Sequence, residues 1–135
     1  MTTLGEHYII ELYGCRKDAL DNFKGIEGAL NEAARIAGAT IIDSKFHRFS
    51  PQGVSGVVII AESHLSIHTW PELGYAALDL FTCNVGMDIH SALNLLREVF
   101  EPDEIDARVV HRGIVNPELR KERAADLARL ETVPA

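Results

Sequence analysis

The sequence predicts an α+β fold, a two-layer sandwich in which two helices cover one face of an antiparallel sheet. Runs rich in β-branched and aromatic residues recur along the chain, and two segments between them carry apolar residues at helical spacing. The segments follow in the order β-α-β-β and then β-α-β. Such a sheet keeps one face open, and a homodimer is the natural way to cover it.

Five segments are predicted to be strands because each is rich in β-forming residues and most end at a turn signal. The second and third are separated only by the turn sequence Ser-Pro-Gln-Gly, so we expect them to pair as a hairpin. A short extended piece is also expected near residues 63–69. The predicted strands are 7–14, 40–49, 54–61, 75–81 and 106–111.

Two segments are predicted to be helices. Residues 18–37 place apolar side chains on one face and are followed by Gly38, a common helix stop. Residues 88–100 begin with Asp88, whose carboxylate suits the capping position. The apolar positions at helical spacing are Ile26, Ala29, Leu30, Ala33, Ala34 and Ala37 in the first helix, and Ile89, Leu93, Leu96 and Phe100 in the second.

Length and charge narrow the functional classes. A chain of 135 residues can bury one core, which we assign to residues 1–115, with a charged tail at 116–135. A formal net charge of −7 argues against binding to nucleic acid or to an anionic membrane, and no apolar run spans a bilayer. Two cysteines and no secretory signal at the N-terminus predict a cytoplasmic protein.

Reactive side chains are concentrated in residues 61–71, AESHLSIHTWP. Three interpretations fit this segment. It is a polar loop; or it holds a metal between His64 and His68, although no third ligand lies nearby; or Ser63 is a nucleophile with His68 as its base. Spacing alone does not choose among them.

A longer motif favours the third interpretation. Residues 53–72 (GVSGVVIIAESHLSIHTWPE) and 75–83 (YAALDLFTC) resemble the short prokaryotic type of S-adenosylmethionine decarboxylase, and the resemblance runs from about His7 to Gly113. It implies an enzyme that converts S-adenosylmethionine to its decarboxylated form, the aminopropyl donor for spermidine synthesis. Asn84 stands where the family usually has glycine, and Val85 to Met87 also depart from the family pattern.

The resemblance implies a cofactor that the chain makes from itself. Loss of CO2 from an amino acid needs an electron sink, and a pyruvoyl group that forms a Schiff base with the substrate amine provides one. The Ser63 hydroxyl would attack the carbonyl of Glu62, and the resulting ester would eliminate and hydrolyse to pyruvoyl and ammonia. The chain would thus be cut between residues 62 and 63. No metal is implied.

The same resemblance assigns the catalytic residues. Ser63 becomes the pyruvoyl group, and Glu62 supplies the carbonyl at the cleavage site. His68 would remove the Ser63 α-proton, and Ser55 would hydrogen-bond the intermediate. Cys83 would return a proton to the substrate Cα.

Substrate contacts are implied for Phe49, Leu65 and Glu72, with Phe49 stacking on adenine and Glu72 accepting from the ribose hydroxyls. Two alternatives stay open at this point. The same pyruvoyl chemistry would serve arginine or ornithine, and a non-catalytic regulatory module that binds a small ligand could have the same β-α-β-β pattern.

Overall fold

The computed structural model describes residues 3–84 and 86–126. Its centre is a six-stranded antiparallel sheet with the strand order β2-β3-β4-β5-β1-β6. The strands are β1 (Thr3–Tyr13), β2 (Ile41–Arg48), β3 (Val54–Ile60), β4 (Ser63–Trp70), β5 (Tyr75–Thr82) and β6 (Glu104–Ile114). The predicted α+β class, the antiparallel sheet and the hairpin of β2 with β3 are confirmed.

The short extended piece expected near residues 63–69 is a complete strand, β4, in the middle of the sheet. Its side chains alternate: Leu65, Ile67 and Thr69 are buried, whereas the side chains between them lie on the other face. This is the period-two pattern of a strand with one face in the core. Serines and histidines at the alternate positions weaken the strand pattern in the sequence, so only a short extended piece was predicted there.

In the part of the chain that the structure describes, four helices accompany the sheet: α1 (Lys17–Leu20), α2 (Phe23–Ile36), α3 (Ile89–Phe100) and α4 (Pro117–Asp126). The first predicted helix is interrupted, because the Asn22 side chain accepts a hydrogen bond from the Gly25 N–H at 3.0 Å and starts α2 there. Asp88 caps α3 as predicted, accepting from the Ser91 N–H at 3.1 Å. Each cap contributes about 1 kcal/mol.

The core lies between one face of the sheet and the two long helices, α2 and α3. Phe100 of α3 and Leu30 of α2 are fully buried, as are Leu12 of β1 and Ile67 of β4. The prediction of two helices on one face of the sheet is therefore confirmed for the helices that form the core. The core side chains also fix the register of strands β1 to β5, because a slip of one residue would expose them.

The opposite face of the sheet, which we call the open face, carries the alternate residues of every strand. Neither α2 nor α3 covers it. Four large apolar side chains on this face are 37 to 46 % exposed. They are Ile9, Tyr13, Ile59 and Trp70.

Helix α4 occupies the first part of the predicted tail. The Arg123 side chain donates to the backbone carbonyl of His111 in β6, which ties α4 to the edge of the sheet. The rest of the tail, residues 127–135, lies outside the described residues. Among the described helices, none is both long enough and apolar enough to cross a membrane.

Candidate active site

The predicted cleavage site lies at a tight hairpin turn. Only Ala61 and Glu62 connect β3 to β4, and Ile60 pairs with Ser63 in the sheet register. Ser63 has a φ angle of 154°, a backbone conformation that residues other than glycine rarely adopt. The turn therefore stores conformational strain at the bond that would be cut.

Three hydrogen bonds hold this turn. The Ala61 N–H donates to the carbonyl of Thr40 at 2.8 Å, and the Thr40 N–H donates to the Glu62 side chain at 3.1 Å. The Cys83 N–H donates to the backbone carbonyl oxygen of Glu62 at 3.1 Å. A donor on this oxygen polarises the carbonyl carbon that Ser63 would attack and stabilises negative charge that develops there.

Cys83 is exposed and directly follows β5, whose last residue, Thr82, pairs with Ser63. The sheet therefore places Cys83 beside the cleavage site. The Thr82 hydroxyl accepts from the Asn84 N–H at 2.9 Å, and the Asn84 side chain accepts from the Gly86 N–H at 2.9 Å. Asn84, which departs from the family pattern, thus supports the turn after Cys83, whereas Val85 lies outside the described residues.

Ser55 and His68 form a second pair on the open face. They are register partners on β3 and β4, and the Ser55 hydroxyl is hydrogen-bonded to His68 Nδ1 at 2.8 Å. This contact leaves Nε2 of His68 for another group.

The two pairs are at opposite ends of β4. Ser63 begins the strand, and five residues at about 3.3 Å each place His68 roughly 16 Å away. A single chain therefore does not bring Ser63 and His68 together as nucleophile and base. His64 and His68 are about 13 Å apart by the same rise, so the interpretation of these two histidines as shared metal ligands is wrong.

Phe49 and Glu72 lie at the His68 end of the sheet. Phe49 follows β2, where its N–H donates to the Gly53 carbonyl at 2.8 Å, and its ring is 48 % exposed. Glu72 is exposed in a 3₁₀ turn, Pro71–Leu73, that follows β4. An exposed aromatic ring and a carboxylate at one end of the sheet can serve as a stacking platform and a hydroxyl acceptor.

Leu65 requires a correction. Its side chain is only 4 % exposed and belongs to the core between the sheet and the helices. The alternation of β4 directs it away from the open face. Only the backbone of Leu65 could contact a substrate that lies on the open face.

A network of polar side chains beside the cleavage site was not predicted from the sequence. The Asp79 carboxylate accepts hydrogen bonds from His7 Nε2 at 2.6 Å, from His64 Nε2 at 3.0 Å and from the Ser66 hydroxyl. Burial alone would raise the pKa of Asp79, but these hydrogen bonds outweigh it and hold the pKa below its usual value. The sequence feature that could have indicated this network is Asp79 itself, an acidic residue at an outward position of an otherwise apolar strand.

The same network contains the atoms of a possible metal site, since nitrogens of His7 and His64 and an oxygen of Asp79 lie within 4.8 Å of one another. However, Arg112 contacts His7 Nδ1 at 2.9 Å, and a guanidinium group only donates. His7 Nδ1 must therefore accept, and Nε2 carries the ring proton that goes to Asp79. A metal would need the lone pair of Nε2, so this arrangement is a hydrogen-bonded network.

A strained serine at a hairpin turn, with a donor on the preceding carbonyl and an exposed cysteine beside it, gives this α+β sandwich the features of a self-processing enzyme. A sequence model of the family described as S-adenosylmethionine decarboxylase matches residues 6–113. The chain belongs to this family.

Relatives support the assignment over most of the chain. Proteins named S-adenosylmethionine decarboxylase proenzyme are 48 % identical in Methanococcus maripaludis strain C7, over 90 % of this chain and 100 % of that protein, and 51 % identical in Syntrophomonas wolfei, over 89 % and 96 %. The crystal structure of adenosylmethionine decarboxylase from Aquifex aeolicus superposes with a TM-score of 0.77 at 39 % identity, covering 87 % of this chain and 97 % of that one. The structure therefore matches a solved member of the family over nearly its whole length.

Proposed function

We propose that the chain is a proenzyme that cuts itself between Glu62 and Ser63 and then decarboxylates S-adenosylmethionine. The observation that carries this proposal is the contact of the Cys83 N–H with the Glu62 carbonyl at the strained turn of Ser63. The proenzyme names of the relatives agree with it.

Cleavage begins at the turn. The Ser63 hydroxyl oxygen attacks the carbonyl carbon of Glu62, and the peptide C–N bond breaks, so that the acyl group moves from nitrogen to oxygen. The Ser63 nitrogen leaves as an amine after it takes up a proton. The Cys83 N–H stabilises the charge that builds on the carbonyl oxygen, and opening the turn releases the backbone strain at Ser63.

The ester is then eliminated. A base removes the α-proton of Ser63, the ester C–O bond breaks, and Glu62 departs as a carboxylate. The remaining dehydroalanine takes up water, releases ammonia and leaves a pyruvoyl group at position 63. Nε2 of His68 is suited to remove the α-proton, because Ser55 fixes the other ring nitrogen.

His68 must come from a second copy of the chain, because within one chain it lies about 16 Å from Ser63. We propose that the open faces of two chains pack together about a two-fold axis. Each resulting site joins Ser63 and Cys83 of one protomer to Ser55 and His68 of its partner. The exposed apolar side chains of the open face would be buried in this dimer.

The residues around position 63 would fit a pyruvoyl group, because cleavage breaks the C–N bond that defines the strained φ of Ser63 and the new carbonyl carbon would lie beside Cys83. The pyruvoyl group supplies the sink for the electrons that remain when CO2 leaves the substrate. The Cys83 thiol then returns a proton to the substrate Cα. Phe49 and Glu72 belong to the same half-site as His68, so the adenosyl part of the substrate would be held by the partner.

The exposed ring of Phe49 and the Glu72 carboxylate at the same end of the sheet favour a nucleoside substrate over arginine or ornithine, which have neither an adenine nor a ribose. We assign this activity to residues 1–115 and leave residues 116–135 as a tail. The two free cysteines, Cys15 and Cys83, support the proposed cytoplasmic location.

Incubation of the purified chain tests the proposal. Denaturing electrophoresis and intact mass should show fragments of 62 residues and of the remaining 73 of the 135, the second with a blocked N-terminus. Carboxyl-labelled S-adenosylmethionine should release labelled CO2, whereas arginine and ornithine should release much less. Ser63→Ala should stay as one band, and the matched control Ser44→Ala should be cut. A wild-type chain that remains intact at neutral pH would refute the proposed function.

The base is tested separately. His68→Ala should complete the acyl shift and stop at the ester, because elimination needs a base. Hydroxylamine cleaves esters and should therefore cut the stalled chain. Maturation of His68→Ala at the wild-type rate would show that another group removes the proton.

A further inference from the structure

We propose that Asp79 is a positioning residue that clamps the beginning of β4, so that position 63 stays beside Cys83 once the chain has been cut. The inference rests on the proposed function, because it concerns the strand end that self-cleavage creates. It gives a role to the network of Asp79, His7, His64, Ser66 and Arg112 on the open face.

The Asp79 carboxylate joins three strands. It lies on β5 and accepts from His64 and Ser66, which are both on β4 and follow the cleavage site directly. It also accepts from His7 of β1. Two of its three donors thus belong to the strand whose first residue is Ser63.

Arg112 and Phe81 hold His7 in place for this contact. Arg112 of β6 donates to His7 Nδ1 at 2.9 Å, which leaves the Nε2 proton aimed at Asp79. The His7 ring stacks on Phe81 with 5.2 Å between centroids, and the Arg112 guanidinium lies 5.2 Å from the centroid of the same ring. Arg112 and Phe81 therefore orient the His7 ring so that Nε2 donates to Asp79, and the hydrogen bonds from Ser66, His7 and His64 hold the pKa of Asp79 below its usual value.

The clamp gains importance after cleavage. In the uncut chain, Ala61 and Glu62 tie Ser63 to β3 covalently. After the cut, position 63 is the free end of β4, and strand ends fray unless side chains hold them. His64 is the first side chain behind that end, and Asp79 fixes it to β5, the strand that leads to Cys83.

The variant Asp79→Asn has the same shape but lacks the charge, and its NH2 group would face other donors. Because a displacement of 1 Å costs about 100-fold in rate, we expect decarboxylation to fall by about 10- to 100-fold. Self-cleavage should slow by less than about tenfold, since the turn still tethers Ser63 at that stage. Asp79→Glu keeps the charge and should recover part of the lost activity.

Three measurements test the clamp, one on the uncut chain and two on the processed protein. The matched control is Asp106→Asn, another carboxylate-to-amide change on the open face. Amide hydrogen exchange in residues 63–70 should be faster in Asp79→Asn than in the control. The time course of cleavage should remain a single phase that reaches completion. Intact mass after turnover should show more second fragments that begin with alanine at position 63, because a misplaced Cys83 lets the proton go to the pyruvoyl carbon.

Equal hydrogen exchange and equal alanine formation in Asp79→Asn and Asp106→Asn would overturn the clamp while the proposed function stands. A wild-type chain that is not cut would instead overturn the proposed function and the clamp with it. If Asp79→Asn does not fold, Ser66→Ala tests the clamp instead, because it removes one of the donors to Asp79. Hydrogen exchange in residues 63–70 and alanine formation should then rise in Ser66→Ala, by less than is expected for Asp79→Asn. Unchanged readouts in Ser66→Ala would then count against the clamp.

Discussion

Co-expression of two inactive variants would show whether each active site is shared between chains. Ser63→Ala lacks the nucleophile, and His68→Ala lacks the base, so neither should mature alone. In a heterodimer of the two, one site combines Ser63 of the His68→Ala chain with His68 of the Ser63→Ala chain. That site has every wild-type residue, and its Ser63 chain should be cut.

The expected fraction of cut chains follows from the two-fold symmetry of the proposed dimer. If two variants expressed at equal levels pair at random, about half of the His68→Ala chains lie in heterodimers. All of these chains meet an intact His68, so about half of all His68→Ala chains should be cut. The length of β4 requires this outcome, because His68 lies roughly 16 Å from Ser63 in its own chain. Mass spectrometry of the purified mixture would identify the cut chain by its altered residue.

The control is co-expression of His68→Ala with a chain carrying both Ser63→Ala and His68→Ala, which offers no intact histidine. No cleavage is expected there. If heterodimers of the single variants form, as shown by differently tagged chains, and no cut appears, the shared site is refuted. Cleavage of the double-variant mixture would equally refute the role of His68.

Three further predictions concern the cysteines and the packing of the sheet. Cys83→Ala should still be cut, since the backbone N–H remains. Its decarboxylation should fall about 10²- to 10⁴-fold in a labelled-CO2 assay. During turnover, alanine should replace the pyruvoyl group at position 63 of the second fragment. Burial and a neighbouring carboxylate raise the pKa of Cys15 to about 11, so at pH 8 its thiol stays protonated and alkylation should modify Cys83 alone until denaturant is added. Gly56→Ala should lower the free energy of unfolding in urea by about 1–3 kcal/mol, because the new methyl group meets the Phe46 ring, whereas Gly28→Ala meets nothing and should not destabilise.

The elements of the fold were predictable because each has a local pattern. Apolar spacing identified the core faces of both long helices, and Asp88 marked the start of α3. The first predicted helix is interrupted at Asn22 because its side chain caps α2 there. The spacing of apolar residues does not show that this cap forms instead of one continuous helix. The sequence predicted only a short extended piece in place of the complete strand β4, because the outward positions of β4 carry histidine and serine.

The sequence predicted which residues belong to the candidate site, but it did not predict how they are placed relative to one another. The motif identified Ser63 and His68, but their distance depends on whether the segment between them is a loop or a strand. The Asp79 network depends on the registers of β1 and β4 against β5, which place His7 and His64 on either side of Phe81. The pairing of strands that are distant in the chain cannot be predicted from a single sequence. The sequence shows only a charged residue at an outward strand position.

The strand order has a consequence for how the mature protein refolds. Cleavage after Glu62 leaves β1, β2 and β3 on the first fragment and β4, β5 and β6 on the second, and β1 lies between β5 and β6. The fragments are therefore interleaved and meet along three ladders, β3 with β4, β5 with β1, and β1 with β6. The uncut chain can build this sheet in a unimolecular reaction, whereas two separated fragments must first find each other, so refolding of the mature form should depend on concentration. Self-cleavage thus makes unfolding harder to reverse, and the proenzyme is the form in which the sheet is assembled.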